Sequence, residues 1–204
     1  ALVAAEPLPP GEALVGAADL ATGDTVDDVL PVLRLASDGR LRGIRCPTVW
    51  DADPAIAPGS RPFAPAGLMA DRKFRNGVAR LAATQLVYEA WQYYPQLGEL
   101  GDLAAGVPEA TIVAGHCGGL IGTRAYARPD NFKCWSEKVF ELARRPNVIM
   151  KLSGLAADRT GFGFQGRATR PTAEELVATW SPYINTCIEA FGPNRAMMES
   201  NFPV

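Results

Sequence analysis

Six short apolar runs, separated by stretches of helical periodicity, constrain this 204-residue chain more than any other feature. They are Ala13–Ala18, Arg42–Cys46, Leu86–Ala90, Thr111–Gly115, Val148–Leu152 and Ala196–Ser200. Each run is compact and continuous rather than alternating, as in strands buried on both faces of a parallel sheet. Between them, Phe74, Val78, Leu81 and Ala82 form a helical stripe behind Asp71. Phe132, Trp135, Val139 and Leu142 form another, which Pro146 ends. Thr172 and Glu175 make a capping box ahead of Leu176, Trp180 and Ile184, with Pro182 expected to kink or split that helix. Thr25 is expected to cap a helix bearing Val26, Val29, Leu30 and Leu33, although Pro31 falls inside it. Strands alternating with single helices imply right-handed βαβ units, so the fold class is α/β with a parallel sheet.

Composition narrows the function classes. Apolar residues make up 48% and charged residues 21%, enough for a packed core and unlike a disordered chain. The formal charge is −2 and no Lys/Arg cluster interleaves with aromatics, which argues against a nucleic-acid partner. No apolar run approaches the roughly 18 residues of a membrane span, and the first residues lack signal-peptide architecture. Cys46, Cys117, Cys134 and Cys187 form no C-x-x-C pair, so free thiols in a reducing, cytoplasmic compartment are expected. Phosphate-binding glycine motifs, a nucleophile-elbow serine and H-E-x-x-H spacing are all missing from the sequence. The longest irregular stretch, Pro47–Gly67, follows a strand and reads as a lid or a surface insertion.

Five phrases occur in order: LRGIRCPTVWDADP, FRNGVARLAATQLVYEAWQYYPQLGEL, TIVAGHCGG, RRPNVIMKLSGL and FGPNRAMMESNFPV. Together they resemble the amidohydrolase-related hydrolases of the TIM-barrel fold, a group that includes sugar-lactone hydrolases and pyrone-dicarboxylate lactonases. The resemblance runs from about Ala13 to Val204. It implies a (β/α)8 barrel of which residues 1–204 are a single partial domain, holding strands three to eight. The first two strands, with their His-x-His pair, and the closing helix are then expected outside the sequence. A full barrel typically needs about 250 residues, which agrees.

The candidate site residues lie at or near strand ends, where a barrel carries its chemistry. His116, the only histidine, closes the run Thr-Ile-Val-Ala-Gly and could ligate a metal or hold and polarise a substrate carbonyl. Its rival reading is a core histidine satisfied by a backbone carbonyl. Arg45 could take a substrate carboxylate in bidentate fashion or line the barrel in a salt bridge. Glu89 stands near where some metal-bound relatives place a histidine, and Trp91 reads as pocket wall or core packing. Lys151, inside an apolar strand, must find a partner, reach the mouth or shift its pKa, with Glu89 or Glu199 as partners. Asn201 occupies the position of the family's general-base aspartate, and an amide cannot take that proton. Either Glu199, two residues earlier and on the same strand face, replaces it, or a carboxylate beyond Val204 does, or this branch works differently.

The resemblance implies hydrolysis of a lactone or related cyclic ester by activated water. His116, Glu199 and Asn201 would be catalytic, and Arg45, Glu89, Trp91 and Lys151 would bind a carboxylate-bearing small molecule. A divalent metal, zinc or manganese, would be held by His116 and the upstream pair in the full-length protein, with none expected in this chain alone. A metal-dependent decarboxylase of the same superfamily and an inactive truncated barrel are the alternatives. No nucleic acid or membrane partner is expected, and a homo-oligomer stays open.

Overall fold

In the computed structural model, residues 13–56 and 62–201 are described. The strands are β1 (Leu14–Ala17), β2 (Leu41–Pro47), β3 (Val87–Trp91), β4 (Ile112–Ala114), β5 (Val148–Leu152) and β6 (Ala196–Met198). The helices between them are α1 (Leu30–Ala36), α2 (Arg72–Ala83), α3 (Leu97–Gly106), α4 (Asn131–Ala143) and α5 (Ala173–Phe191). All neighbouring strands pair in parallel, in chain order from β1 to β6. Among the described residues β1 pairs only with β2 and β6 only with β5, so the sheet is open, as in part of a barrel.

The register sorts side chains into rows by the two-residue period of a strand. Ile44, Tyr88, Ile112 and Val148 are in register and fully buried, and Cys46, Ala90, Ala114 and Met150 form the next such row. Both belong to one apolar cluster with Phe74, Val78, Leu81, Leu100, Leu103, Trp135 and Val139 from the helices. Phe74 meets Tyr88 edge to face at 5.7 Å. The alternate row, Arg45, Glu89, Val113 and Ile149, faces the other way and begins with two charges.

Local signals largely set the helix ends. Asp71 accepts from the amides of Lys73 and Phe74 at 2.7 and 3.0 Å to start α2. The Thr172–Glu175 capping box forms, with both reciprocal bonds present at 2.9 and 3.2 Å. Pro182 lies within α5, which runs unbroken over 19 residues. Thr25 caps nothing: its hydroxyl donates to Thr22 O within a 3-10 stretch, Leu20–Asp28, that Asp19 caps. The α-helix begins later, at Leu30, which puts Pro31 in the first turn where its missing N–H removes no helical bond.

Candidate functional site

The polar row continues along the carboxyl ends of the strands as one connected chain of side chains. Arg45 and Glu89 occupy paired register positions on β2 and β3. Arg45 Nε donates to Glu89 Oε1 at 2.7 Å, and Nη2 donates to the same oxygen. Glu89 Oε2 accepts from Lys151 Nζ at 3.0 Å, and the same ammonium reaches Glu199 Oε1 at 3.0 Å. Glu199 Oε2 in turn meets Ser153 Oγ at 2.6 Å, and Ser153 Oγ lies 2.9 Å from His116 Nδ1. Glu89 is only 3% exposed and is bracketed by the two cations, which compensate for its burial. Lys151 thus pairs with both carboxylates that the sequence offered.

His116 is placed by main chain more than by side-chain packing. It opens a single turn, His116–Gly119, in which all four residues have positive φ: 57°, 49°, 73° and 74°. For an L-residue this left-handed conformation costs about 1–2 kcal/mol, a cost that persists only where surroundings enforce it. They do so here, because a Cβ on Gly119 would fall 1.8 Å from Gln92 O. Trp135 Nε1 also donates to Cys117 O at 2.9 Å. The turn is wedged between the end of β3 and helix α4, and the imidazole has little latitude.

Burial pushes the His116 pKa down to about 4, with the positive fields of Arg45, Arg159 and Lys151 acting in the same direction and Glu199 opposing. The ring is therefore neutral at pH 7. Glu199 lies below its ordinary value: burial alone would raise it, but the Ser153 hydroxyl and the Lys151 ammonium outweigh that. It is a carboxylate at neutral pH.

Trp91 stands edge-on to His116, ring centroids 6.4 Å apart at 90°, with the Arg159 guanidinium 5.8 Å from its ring centroid. It flanks His116. Burial lowers the Arg159 pKa, and its Nε, like Trp91 Nε1, has no hydrogen-bond partner among the described residues. Glu199 and Asn201 both lie beyond β6, and Asn201 has φ 60°, so the strand alternation expected to align the two does not reach them. Among the described residues it makes no hydrogen bond with the chain of polar groups.

The described part of the Pro47–Gly67 stretch is tied down as part of the rim. Tyr126 donates to Asp51 at 2.6 Å, Arg124 to Asp53 at 2.5 Å, and Tyr93 to Ile56 O at 2.5 Å. Gly122 N donates to Arg159 O at 2.8 Å, which joins the loops after β4 and β5.

Two site residues escaped the sequence reading. Ser153 sits two positions past Lys151 and so on the same face, a signal that the strand period contains. Arg159 lies in the irregular segment after β5 and has no such signal. All four cysteines are free thiols. No helix among the described residues is long and apolar enough to cross a membrane.

The donor set does not suit a divalent cation. Among the described residues no group of three His, Cys, Asp or Glu could hold one. Glu89 and Glu199 are both already paired with the Lys151 ammonium, which stands between them.

An open sheet of parallel strands alternating with helices, with polar groups gathered at the carboxyl ends, is the arrangement of part of a TIM barrel. The chain belongs to the Amidohydrolase family, whose profile matches residues 1–204. It is similar to an uncharacterised protein, y4mH, of Sinorhizobium fredii, 33% identical over 132 residues. That match takes in 65% of this chain and 38% of the relative. It is 30% identical over 136 residues to an L-fucono-1,5-lactonase of Burkholderia multivorans, 66% of this chain and 43% of the relative. The chain therefore spans less than half the length of these relatives. Two crystal forms of an amidohydrolase from Burkholderia multivorans superpose with TM-scores of 0.72 and 0.70 at 25% and 26% identity. Each match covers 94% of this chain and 59% of the solved one, the first with bound HEPES and the second with bound zinc.

Proposed function

We propose that the protein carrying this chain hydrolyses the C–O bond of a lactone or related cyclic ester. The observation that carries the reading is Glu199, an ionised carboxylate held by Lys151 and Ser153 beside a neutral His116. That group can take the proton of a water attacking a carbonyl, the role Asn201 cannot fill. Its depressed pKa makes it a modest base, which suits an ester or lactone better than an amide with its poorer leaving group. The 30% identical lactonase supports the same substrate class.

The surrounding charge favours an anionic or carboxylate-bearing substrate. Arg45, Lys151 and Arg159 bring three positive charges against two from Glu89 and Glu199. Arg45 is not a free clamp, because its Nε and Nη2 serve Glu89. Its Nη1 remains for substrate, and Trp91 forms the apolar wall.

A panel of sugar 1,5-lactones and pyrone-dicarboxylate lactones, followed by proton release near neutral pH, tests the reading. Ring opening should be detected, and Glu199→Gln should lower turnover by about 100-fold or more. Release of CO2 without ring opening would replace the lactonase reading with a decarboxylase.

A further inference from the structure

We propose that Ser153 is a positioning residue that holds His116 in the Nδ1–H tautomer, leaving Nε2 as a bare lone pair toward the site. The inference follows from counting protons along three contacts. Ser153 has one hydroxyl proton, and Glu199 Oε2 lies 2.6 Å from its oxygen, the length of an O–H bond to a carboxylate. The other Glu199 oxygen accepts from Lys151 at 3.0 Å, so the carboxylate has no proton of its own to give. The hydroxyl proton therefore goes to Glu199. Only lone pairs of Ser153 Oγ then face His116 Nδ1 at 2.9 Å, and Nδ1 must donate.

The opposite polarity would need a protonated Glu199 donating to Ser153 while 3.0 Å from an ammonium, which disfavours the neutral acid. A direct bond cannot stand in for the serine, because His116 Nδ1 and Glu199 Oε2 are 3.7 Å apart. The ring cannot turn away easily either. A Cβ on Gly154 would lie 2.5 Å from His116 Cβ and 3.0 Å from Nδ1, so this glycine seats the imidazole closely.

The neutral imidazole has one ring proton, and the contacts at Ser153 assign it to Nδ1. With that proton on Nδ1, Nε2 is an acceptor, and it has no partner among the described residues. His116 then receives a hydrogen bond from water or a substrate hydroxyl; it does not donate one to a carbonyl oxygen. The choice between the two roles is made by a serine that touches neither. This inference is independent of which ester is hydrolysed.

His116 is the only histidine, so one long-range proton–nitrogen spectrum of the uniformly ¹⁵N-labelled chain, free of any histidine tag, reads its ring without assignment. At pH 7 the expected result is a pyrrole-type Nδ1 and a pyridine-type Nε2. Ser153→Ala should shift the ring toward the Nε2–H form or an averaged mixture, and Ser153→Thr, which keeps the hydroxyl, should restore the original pattern. A pyrrole-type Nε2 in the unaltered protein overturns the proposal, whether or not the variants fold. So does an unchanged ring in Ser153→Ala.

Discussion

The two faces of the sheet are built from the same strands and could hardly differ more. Toward the helices, Ile44, Tyr88, Ile112 and Met150 are sealed against Phe74, Leu81 and Trp135 in one dry cluster. On the other face Arg45, Glu89, Lys151, Ser153 and Glu199 form a chain of charge and hydrogen bonds. The first face is stabilised mainly by burial, and its few polar tips are bonded to main chain, Tyr88 Oη donating to Cys46 O and Trp135 Nε1 to Cys117 O. The second tolerates charges because each is held by a neighbour, so it can spend stability on chemistry. One strand period, read on alternate residues, separates fold from function.

This division can be broken from either side. Phe74→Ala, on the helix-facing side, removes a fully buried ring and should cost about 3–5 kcal/mol, visible as a large drop in the urea midpoint. Glu199→Gln should leave that midpoint within about 1 kcal/mol while removing turnover. If the two variants exchange these effects, the faces have been misassigned.

A smaller effect should appear on acidification. His116 titrates near 4 in the folded chain against an ordinary 6.5, so the unfolded chain binds the proton first as pH falls. The contribution of the neutral ring is complete above pH 6.5 and is lost progressively toward pH 4. The loss is about 3 kcal/mol in all. Glu199, with its lowered pKa, adds loss of the same sign as pH falls through its own range. Urea midpoints at pH 7 and pH 5 measure the effect, and His116→Gln should flatten the part due to the ring.

The smallest effect on stability belongs to the flanks. Met198, 76% exposed on β6, lies on a strand that pairs on one side only among the described residues. Met198→Lys should change stability by less than about 0.5 kcal/mol. It should nonetheless reduce concentration-dependent association, read by light scattering after size exclusion, because a lysine blunts an open edge. A chain that is monodisperse before the change would show that the edges are already protected.

The strands and the polar row were legible for the same reason. A parallel strand between helices must be continuously apolar, so Lys151 within Val148–Leu152 stood out, as did Glu89 and Arg45 at neighbouring strand ends. Glu199 was legible by analogy of position, although the alternation that linked it to Asn201 stops when the chain leaves β6. Thr25 misled because a capping residue is a local signal: the 3-10 stretch around it is capped by Asp19, and α1 begins only at Leu30, with Pro31 in its first turn and no side-chain cap. Arg159 and the left-handed turn at His116 could not be read from local pattern. Both depend on which loops lie side by side, as Gly119 against Gln92 shows.

The stitched rim has one more consequence. The described part of the Pro47–Gly67 loop is bonded to the segments after β3 and β4, the segment after β4 is bonded to that after β5, and the His116 turn is wedged beneath. Described segments cross-linked in this way have little wandering left to lose. A guest molecule entering the mouth would surrender its own tumbling but would not also have to quiet a set of restless walls. Selectivity would then rest on the shape and charge that the mouth already presents, so exchanging one rim side chain would change which small molecule fits without rebuilding the ring around it.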